Sequence, residues 1–531
     1  MTGPGLLHGG LGLVPAYLAT LLAYAVGLAT RRASVEHYVW APLAAVPLTA
    51  GGLLLGSLLA GLLHLLGWPA WQRVVVAIAV LAGAALLMGR YRARAEPAAA
   101  VRRGAVIAGA RAARRSDAAG ALTVAGVALS PGDETKHFKF IGTTGTGKST
   151  AIHELIGAAL ARGDRAVIAD PEGGYLARHY DAARGDIILN PFDARAVRWD
   201  PYRELRAPYD PEQLARTLVG DGHGQEQSWR SYAQAFIAAL LRQTQGLPGD
   251  RLTRLYQLLS CAPLPELRLL LAGTGAAPLL EEGNERMFGS VRAVAMAASN
   301  ALQFVQAQAA PAFSVRDWVQ HGRGVLFLPY HADQIAALRS LISSWLRLAI
   351  FQTMSQGEVD HRLWFAIDEL DALGPIDGLT DALARLRKFG GRCVLGFQSI
   401  AQVSGTYGEA AAHTIVENCG NTLILRCSAS EGGGTARFAA RLIGEREVLR
   451  VQVSRSRGAG LFAHRHETIS RGEQSVIEPA ILAAEIERLP DLAGYLKVAS
   501  RPDWMRVDLT PASAAAGSDR ARHDGLDQDP G

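Results

Sequence analysis

The stretch Gly142-Thr143-Thr144-Gly145-Thr146-Gly147-Lys148-Ser149 decides how the rest of the chain is read. It fits the G-x-x-x-x-G-K-[S/T] spacing of a phosphate-binding loop. The glycines let the backbone curl until successive N–H groups point inward at an oxyanion, and no side chain blocks a phosphate's approach. Lys148 supplies a point charge for the β- and γ-phosphates. Ser149 opens a helix whose positive end favours phosphate, and its hydroxyl can ligate Mg²⁺. The flanks have the required order: residues 136–141 alternate like a strand, and residues 150–160 carry helical apolar spacing. Gly142 to Ser149, continued by Thr150 on the helix, therefore form the expected cradle of a nucleoside triphosphate.

The partner motif lies about 220 residues further on. Arg362-Leu-Trp-Phe-Ala-Ile-Asp368-Glu369 is an apolar strand feeding an acid, the Walker B pattern, in which a buried strand delivers one carboxylate to Mg²⁺. Asp368 is the expected metal ligand. Glu369 is placed to orient and deprotonate an attacking water. Gly391-Arg-Cys-Val-Leu-Gly-Phe-Gln398 is a further strand, ending in a glutamine positioned to contact the γ-phosphate. The helix expected over residues 381–389 carries Arg385, Arg387 and Lys388. One of these can serve a neighbouring subunit's γ-phosphate, or all three can form a solvated basic face. Short apolar runs at 165–170, 186–190, 324–328 and 421–426 complete the strand–helix alternation of a parallel α/β sheet. Asp170 ends one of these runs and reads equally as a turn residue or as a group near the nucleotide.

Between residues 205 and 311 the strand signal disappears. Residues 228–243, 252–259, 264–272 and 288–308 have helical spacing, which argues for an inserted all-α domain. At the other extreme, residues 1–89 are a different material. Apolar runs at 43–66 and 74–88 are candidate membrane spans, and residues 6–30 are a third, weakened by glycines and Pro15. Arg31 and Arg32, with Arg90, Arg92 and Arg94, place the chain after Arg90 in the cytoplasm by the positive-inside rule. Two and three spans both fit. Residues 90–119 read as a basic linker, facing either anionic lipid or nucleic acid phosphate. Residues 450–471, which include His464 and His466, read as a hairpin or a loop, and residues 511–531 as a disordered tail.

The chain has 531 residues, room for two or three domains, and a net charge of +5, which permits an anionic partner without demanding one. Its four cysteines lie far apart without a C-x-x-C pair, against a disulfide framework or a zinc ribbon.

With these residues assembled, the chain resembles the type IV secretion coupling proteins of the TraD/TrwB family. Besides both Walker motifs, the resemblance rests on Arg162-Gly-Asp-Arg165 leading to Ile168-Ala-Asp-Pro171, Ile188-Leu-Asn-Pro-Phe-Asp193, Phe313-Ser-Val-Arg-Asp-Trp318, Leu341-Ile-Ser-Ser-Trp345, Gly396-Phe-Gln-Ser399 and Leu489-Pro-Asp-Leu492. It implies an α/β fold: a RecA-like P-loop NTPase domain (120–204 and 312–510) with an inserted all-α domain, preceded by an N-terminal transmembrane anchor. It further implies ATP and Mg²⁺ as ligands and a homohexamer in the bacterial inner membrane. Lys148, Ser149, Asp368, Glu369 and Gln398 take the nucleotide roles, and Arg387 falls where the family has its trans arginine finger. The implied partners are DNA, bound largely without regard to sequence, the relaxase or relaxosome, and type IV secretion channel proteins. The expected activity is an ATP-driven coupling ATPase, stimulated by DNA. The competing readings are a substrate-docking scaffold that uses ATP only as a switch, and an FtsK-like chromosome pump.

Overall fold

The structure, a computed structural model, describes residues 13–30, 35–92, 100–109, 122–220, 226–357, 362–430, 433–457 and 467–511. The chain folds as two compact units, Met1–Arg103 with Arg446–Glu478, and Gly104–Glu445 with Pro479–Gly531.

The first unit contains the helices Leu13–Ala29, Ala41–Leu65 and Ala70–Arg92. The latter two are long and apolar enough to cross a membrane. The described part of the first helix, Leu13–Ala29, has 17 residues, about 25 Å at 1.5 Å per residue. Small residues let it lie against Ala70–Arg92. A Cβ on Gly27 would stand 2.4 Å from the Leu86 carbonyl oxygen, and one on Gly89 would stand 2.3 Å from that of Tyr24. The start of the first candidate span (6–12), Arg31, Arg32 and Arg94 lie outside the described residues, as do Arg111, Arg114, Arg115, His464, His466 and residues 512–531.

Two sequence expectations are corrected here. The basic stretch expected as linker is not linker throughout, because Ala100–Gly104 forms a strand beside Glu445–Arg457, itself flanked by Glu467–Pro479. The strands at 445–479, read as part of the nucleotide-binding domain, belong mostly to the first unit. The charges that made these segments look like loop are paired: Glu447 accepts from Arg102, Arg103 and Ser475, and Glu478 from Arg446 and Arg450. Arg102 and Arg103 lie 345 and 344 residues from Glu447, a neutralisation invisible to local composition.

The second unit is built on one ten-stranded sheet. Its strands are β1 (Ile107–Ala108), β2 (Phe138–Ile141), β3 (Arg165–Pro171), β4 (Ile187–Ile188), β5 (Val325–Tyr330), β6 (Leu363–Ile367), β7 (Gly391–Phe397), β8 (Asn421–Ile424), β9 (Ala493–Lys497) and β10 (Trp504–Asp508). They lie in the order β1-β10-β9-β8-β2-β7-β6-β3-β5-β4. From β8 to β4 every pairing is parallel, whereas β9 returns antiparallel beside β8 and β10 beside β9. Parallel strands covered on both faces need apolar residues at every position. Accordingly β2, β5, β6 and β7 are buried throughout. Successive residues serve opposite faces: Ala166 and Ile168 join the core under the helix Lys148–Ala161, while Val167 and Ala169 join the core on the other side. The one charge inside β2, Lys139, reaches the carbonyls of Val416 (3.0 Å) and Cys419 at the end of the helix Glu409–Asn418, where the dipole favours a cation.

The helical block is entered and left through a separate two-stranded sheet. Arg198–Trp199 pairs in parallel with Ala312–Phe313. The buried Glu204 clamps the two crossings, accepting from Trp199 Nε1 (3.0 Å), Ser314 Oγ (3.1 Å) and the Val315 N–H (2.7 Å). Between them run Asp210–Val219, Glu226–Gln245, Arg251–Ser260, Leu264–Leu270, Glu285–Ser299 and Leu302–Gln306. Residues 288–308, expected as one helical stretch, are two helices separated at Asn300 and Ala301.

Candidate nucleotide site

Every sequence-derived nucleotide residue except Arg387 lies at the carboxyl edge of the parallel strands. Gly142 follows β2, Asp368 and Glu369 follow β6, and Gln398 follows β7. The strand order sets β7 between β2 and β6, so the glutamine stands between the phosphate loop and the acidic pair. In open α/β sheets this edge is where ligands bind.

The loop is preformed. Thr146 Oγ1 donates to the Thr143 carbonyl (2.7 Å), and the Thr143 N–H donates to the carbonyl of Arg426, just past β8 (2.9 Å). Gly147 is the N-cap of the Lys148–Ala161 helix with φ +112°, a conformation that only glycine adopts without strain. A Cβ there would also sit 2.9 Å from the side chains of Leu492 and Leu509. Leu492, the last residue of the Leu-Pro-Asp-Leu motif, donates its N–H to the Thr146 carbonyl (3.0 Å), so this distant segment is the loop's outer support. Lys148 is buried. Its ammonium donates to the carbonyls of Gly142 (2.7 Å) and Thr143 (3.4 Å), which leaves one of three N–H groups for a phosphate. Burial lowers its pKa from the usual lysine value, against the opposing pull of Asp368 and Glu369.

Ser149 Oγ donates to Asp368 Oδ2 at 2.6 Å, joining the two Walker motifs directly. The other oxygen, Asp368 Oδ1, is buried and has no hydrogen-bond partner among the described residues. A serine hydroxyl and an unsatisfied carboxylate oxygen are a donor set suited to Mg²⁺, which takes few protein ligands and keeps waters and phosphate oxygens. A Cβ on Gly396 would lie 2.2 Å from the Asp368 carbonyl oxygen, so only glycine in β7 admits the carboxylate to this position.

Glu369 is half-buried, and its pKa is raised by burial first and by Asp368 second. Its Oε1 accepts from Gln398 Nε2 (3.1 Å), and Gln398 Oε1 accepts from Thr144 Oγ1 (2.9 Å). A continuous chain thus runs from the phosphate loop through the glutamine to the acid expected to handle water. The sequence pattern placed Thr144 in the cradle and did not reveal this link.

Two tyrosines were not recognised as part of the site, and Asp170 was read equally as a turn residue or as a group near the nucleotide. Tyr175 donates to Asp368 Oδ2 (2.9 Å). Asp170 is buried, with its carboxyl pushed up to about 6 by desolvation, and it accepts from the N–H groups of Tyr175 (3.0 Å) and Leu176 (2.6 Å), which identifies it as the anchor of the short helix Gly174–His179. Tyr330, at the end of β5, has a buried hydroxyl without a partner among the described residues. No local motif distinguishes any of them; only strand order assembles them.

Arg387 stands elsewhere. It lies in the turn Leu386–Phe389 just before β7, is exposed, and has no hydrogen bond or ion pair among the described residues. The seven residues of β7 separate it from Gln398, roughly 23 Å at 3.3 Å per residue. An arginine side chain cannot bridge that distance to its own site.

One helix, Ile335–Ser355, touches both the loop after Asp368 and the inserted helices. Ser343 Oγ donates to the Leu373 carbonyl (2.9 Å), Ser344 Oγ to the Thr217 carbonyl (3.1 Å), and Arg347 pairs with Asp377 (2.9 Å) while donating to the Gln213 carbonyl (3.0 Å).

Residues 121–510 match the family described as the type IV secretion-system coupling protein DNA-binding domain. The chain is 33% identical over 371 residues to the coupling protein TraD of Escherichia coli (strain K12), covering 68% of this chain and 51% of that protein. It therefore spans about half the length of this curated relative. The unbound bacterial conjugative coupling protein TrwBdeltaN70 superposes with a TM-score of 0.69 at 32% identity, over 78% of this chain and 94% of that one. The plasmid coupling protein TrwB in complex with ADP and Mg²⁺ gives 0.67 at 32% identity, over the same shares. The α/β unit is a RecA-like P-loop fold, and the chain belongs to the type IV secretion coupling protein family of TraD and TrwB.

Proposed function

We propose that the chain is a membrane-anchored ATPase that couples ATP hydrolysis to the movement of DNA into a type IV secretion channel. The observation that carries this reading is the chain Thr144–Gln398–Glu369 beside the Ser149–Asp368 pair. A cradle that only bound nucleotide would need no acid with a raised pKa wired to the phosphate loop. In this reading Lys148 and the loop N–H groups hold the phosphates, and Ser149 and Asp368 would hold Mg²⁺, which supplies charge neutralisation at the phosphates. Glu369 takes a proton from the attacking water. Gln398 senses the γ-phosphate and passes its loss to Glu369 through their hydrogen bond.

Arg387 faces away from its own site, which suits a ring in which it completes the neighbour's. We read that ring as a homohexamer in the inner membrane, held there by Ala41–Leu65 and Ala70–Arg92 with Leu13–Ala29 packed against them. The family's description as a DNA-binding domain supports DNA as the cargo track, and a relaxase delivered with that DNA is the corresponding protein partner. The helix Ile335–Ser355 gives motion at the Walker B loop a direct path to the inserted helices, by which a nucleotide change would reach DNA or a docked protein.

The test is the ATPase rate of the full chain in detergent, with and without DNA, across salt and protein concentration. DNA should raise the rate, the stimulation should fall steeply with salt because phosphate contacts dominate, and activity should rise more than linearly with protein. Mixing Lys148→Ala with Arg387→Ala subunits, each inactive alone, should restore part of the activity. No restoration would remove the intersubunit site, and a rate indifferent to every DNA tested would remove the DNA motor and leave the docking scaffold.

A further inference from the structure

The segment Asp170-Pro171-Glu172-Gly173-Gly174-Tyr175 makes an unusually tight exit from β3. Glu172 takes φ +59°, in the left-handed region that a non-glycine residue seldom adopts, and Gly173 follows at +69°. The turn is held from several sides. Glu172 accepts from His331 Nδ1 (3.0 Å) and the Ala332 N–H (2.9 Å), and Asp170 anchors the N–H groups of Tyr175 and Leu176. The result is to drive Tyr175 inward, where it is 2% exposed. Its ring stacks on His153 at 4.2 Å between centroids, and His153 is bonded in turn to His179 at 3.0 Å. His153 lies one turn beyond Ser149 on the same helix.

This scaffold aims one atom. The Tyr175 hydroxyl and Ser149 Oγ both donate to Asp368 Oδ2, while Asp368 Oδ1 receives nothing from the described residues. A carboxylate can turn about its χ2 and exchange its oxygens. Two donors on one oxygen oppose that turn, and of the two only Tyr175 lies outside the ligand set, so it can keep its bond when Ser149 engages the ion.

We propose that Tyr175 is a positioning residue: its hydrogen bond to Oδ2 fixes the rotation of Asp368 so that Oδ1 is presented to the nucleotide's magnesium ion. This rests on the reading of Asp368 as the metal ligand. Groups that orient a metal's carboxylate ligands typically change metal affinity by 10- to 100-fold when removed. The inference accounts for a turn that the ATPase reading leaves unused.

The experiment measures binding of a fluorescent ADP analogue to the full chain in detergent, without Mg²⁺ and across a Mg²⁺ titration, so that no turnover is involved. Tyr175→Phe keeps the stacked ring and removes only the hydroxyl. It should leave Mg²⁺-free affinity unchanged and raise the Mg²⁺ midpoint about tenfold, with Asp368→Asn raising it further. If Asp368→Asn shifts the midpoint and Tyr175→Phe does not, the proposal is overturned while the metal site stands. If neither shifts it, the metal-site reading fails and the proposal with it. A merely structural tyrosine would weaken Mg²⁺-free and Mg²⁺-bound affinity together, which also overturns the proposal. Should Tyr175→Phe unfold, His153→Ala, which removes the ring's stacking support together with the bond to His179, should raise the midpoint in the same direction by a smaller factor; an unchanged midpoint there overturns it.

Discussion

The two edges of the central sheet are made of the same residue types and behave oppositely. At the amino edge a cluster of buried charges is matched, with Arg165 as the exception: its Nε has no partner among the described residues. Arg162 grips Glu134 with two parallel bonds of 2.8 and 2.9 Å and also reaches Asp164, while Arg392 Nε meets Glu134 (3.2 Å) and Trp364 Nε1 donates to Asp164 (2.9 Å). Asn421 ties the start of β8 to the carbonyls of Asp133 (2.7 Å) and His137 (3.0 Å). At the carboxyl edge, Asp368 Oδ1, Asp371 Oδ1 and the Tyr330 hydroxyl are buried without partners among the described residues, and burial raises Asp170 and Glu369. One edge spends its polar groups on the fold, and the other holds them for a ligand. Unpaired buried groups cost stability, so the carboxyl edge carries that cost in the free protein.

Breaking each edge should give opposite phenotypes. The largest effect is expected from Glu369→Gln. It keeps the shape but removes a negative charge and with it the proton acceptor, so kcat should fall about 10³-fold while nucleotide binding is retained and the melting temperature does not fall. Steady-state kinetics with a parallel binding titration read this out, and near-normal turnover would mean that another group handles the water. Glu134→Ala should do the reverse. It strands Arg392, whose side chain is 9% exposed, and removing one partner of a buried pair costs about 3 kcal/mol. Denaturant unfolding should show that loss while the ATPase rate per folded molecule stays near that of the parent. A comparable loss of turnover would show that the two edges are not separable.

The carboxyl edge was more legible in the sequence than the amino edge, and the reason is physical. Phosphate chemistry demands particular residues at fixed spacing, so Gly142–Ser149, Asp368-Glu369 and Gln398 announce themselves locally. The apolar runs of β2, β3, β5, β6 and β7 were equally plain, because a doubly covered parallel strand has to be apolar throughout. Glu134 and Arg392 carry no such pattern, and Arg162 and Asp164, though in a stretch that supports the family resemblance, show no partner locally. Each reads as an ordinary surface charge until strand order gathers them. The same holds for Tyr175, whose partner Asp368 is 193 positions away, and for the short edge strand β1 with the strand Ala100–Gly104 before it, whose alanines and arginines read as linker. The antiparallel strand β9 was also missed as a strand; only the Leu-Pro-Asp-Leu stretch before it stood out, and without its role behind the phosphate loop. What requires a ligand was written in sequence; what requires only a partner elsewhere in the chain was not.

The smallest effect sharpens the amino edge itself. His137 precedes β2 with φ +54° and is 2% exposed. Its Nδ1 accepts the Cys393 N–H (3.0 Å), so its Nε2–H donates to the Leu383 carbonyl (3.0 Å), and the neutral ring satisfies both neighbours. A second proton would have to sit on Nδ1, facing that N–H. Desolvation, with the charges of Arg392 and Arg387 adding to it, lowers the pKa from 6.5 to about 4. The unfolded chain therefore binds this proton near pH 6.5 and the native chain only near 4, so the contribution is complete above 6.5 and drains as pH falls through that window. By pH 5 the loss should amount to about 2 kcal/mol. His153 and His179, also held at about 4, add a loss of the same sign, though they are less deeply buried. His137→Asn suits the left-handed backbone and cannot titrate, so its denaturant midpoint should change less between pH 7 and pH 5 than the parent's. Equal changes in the two proteins would assign the acid sensitivity to the other histidines, whose pair lies against Tyr175, and would move it from the amino edge to the nucleotide site.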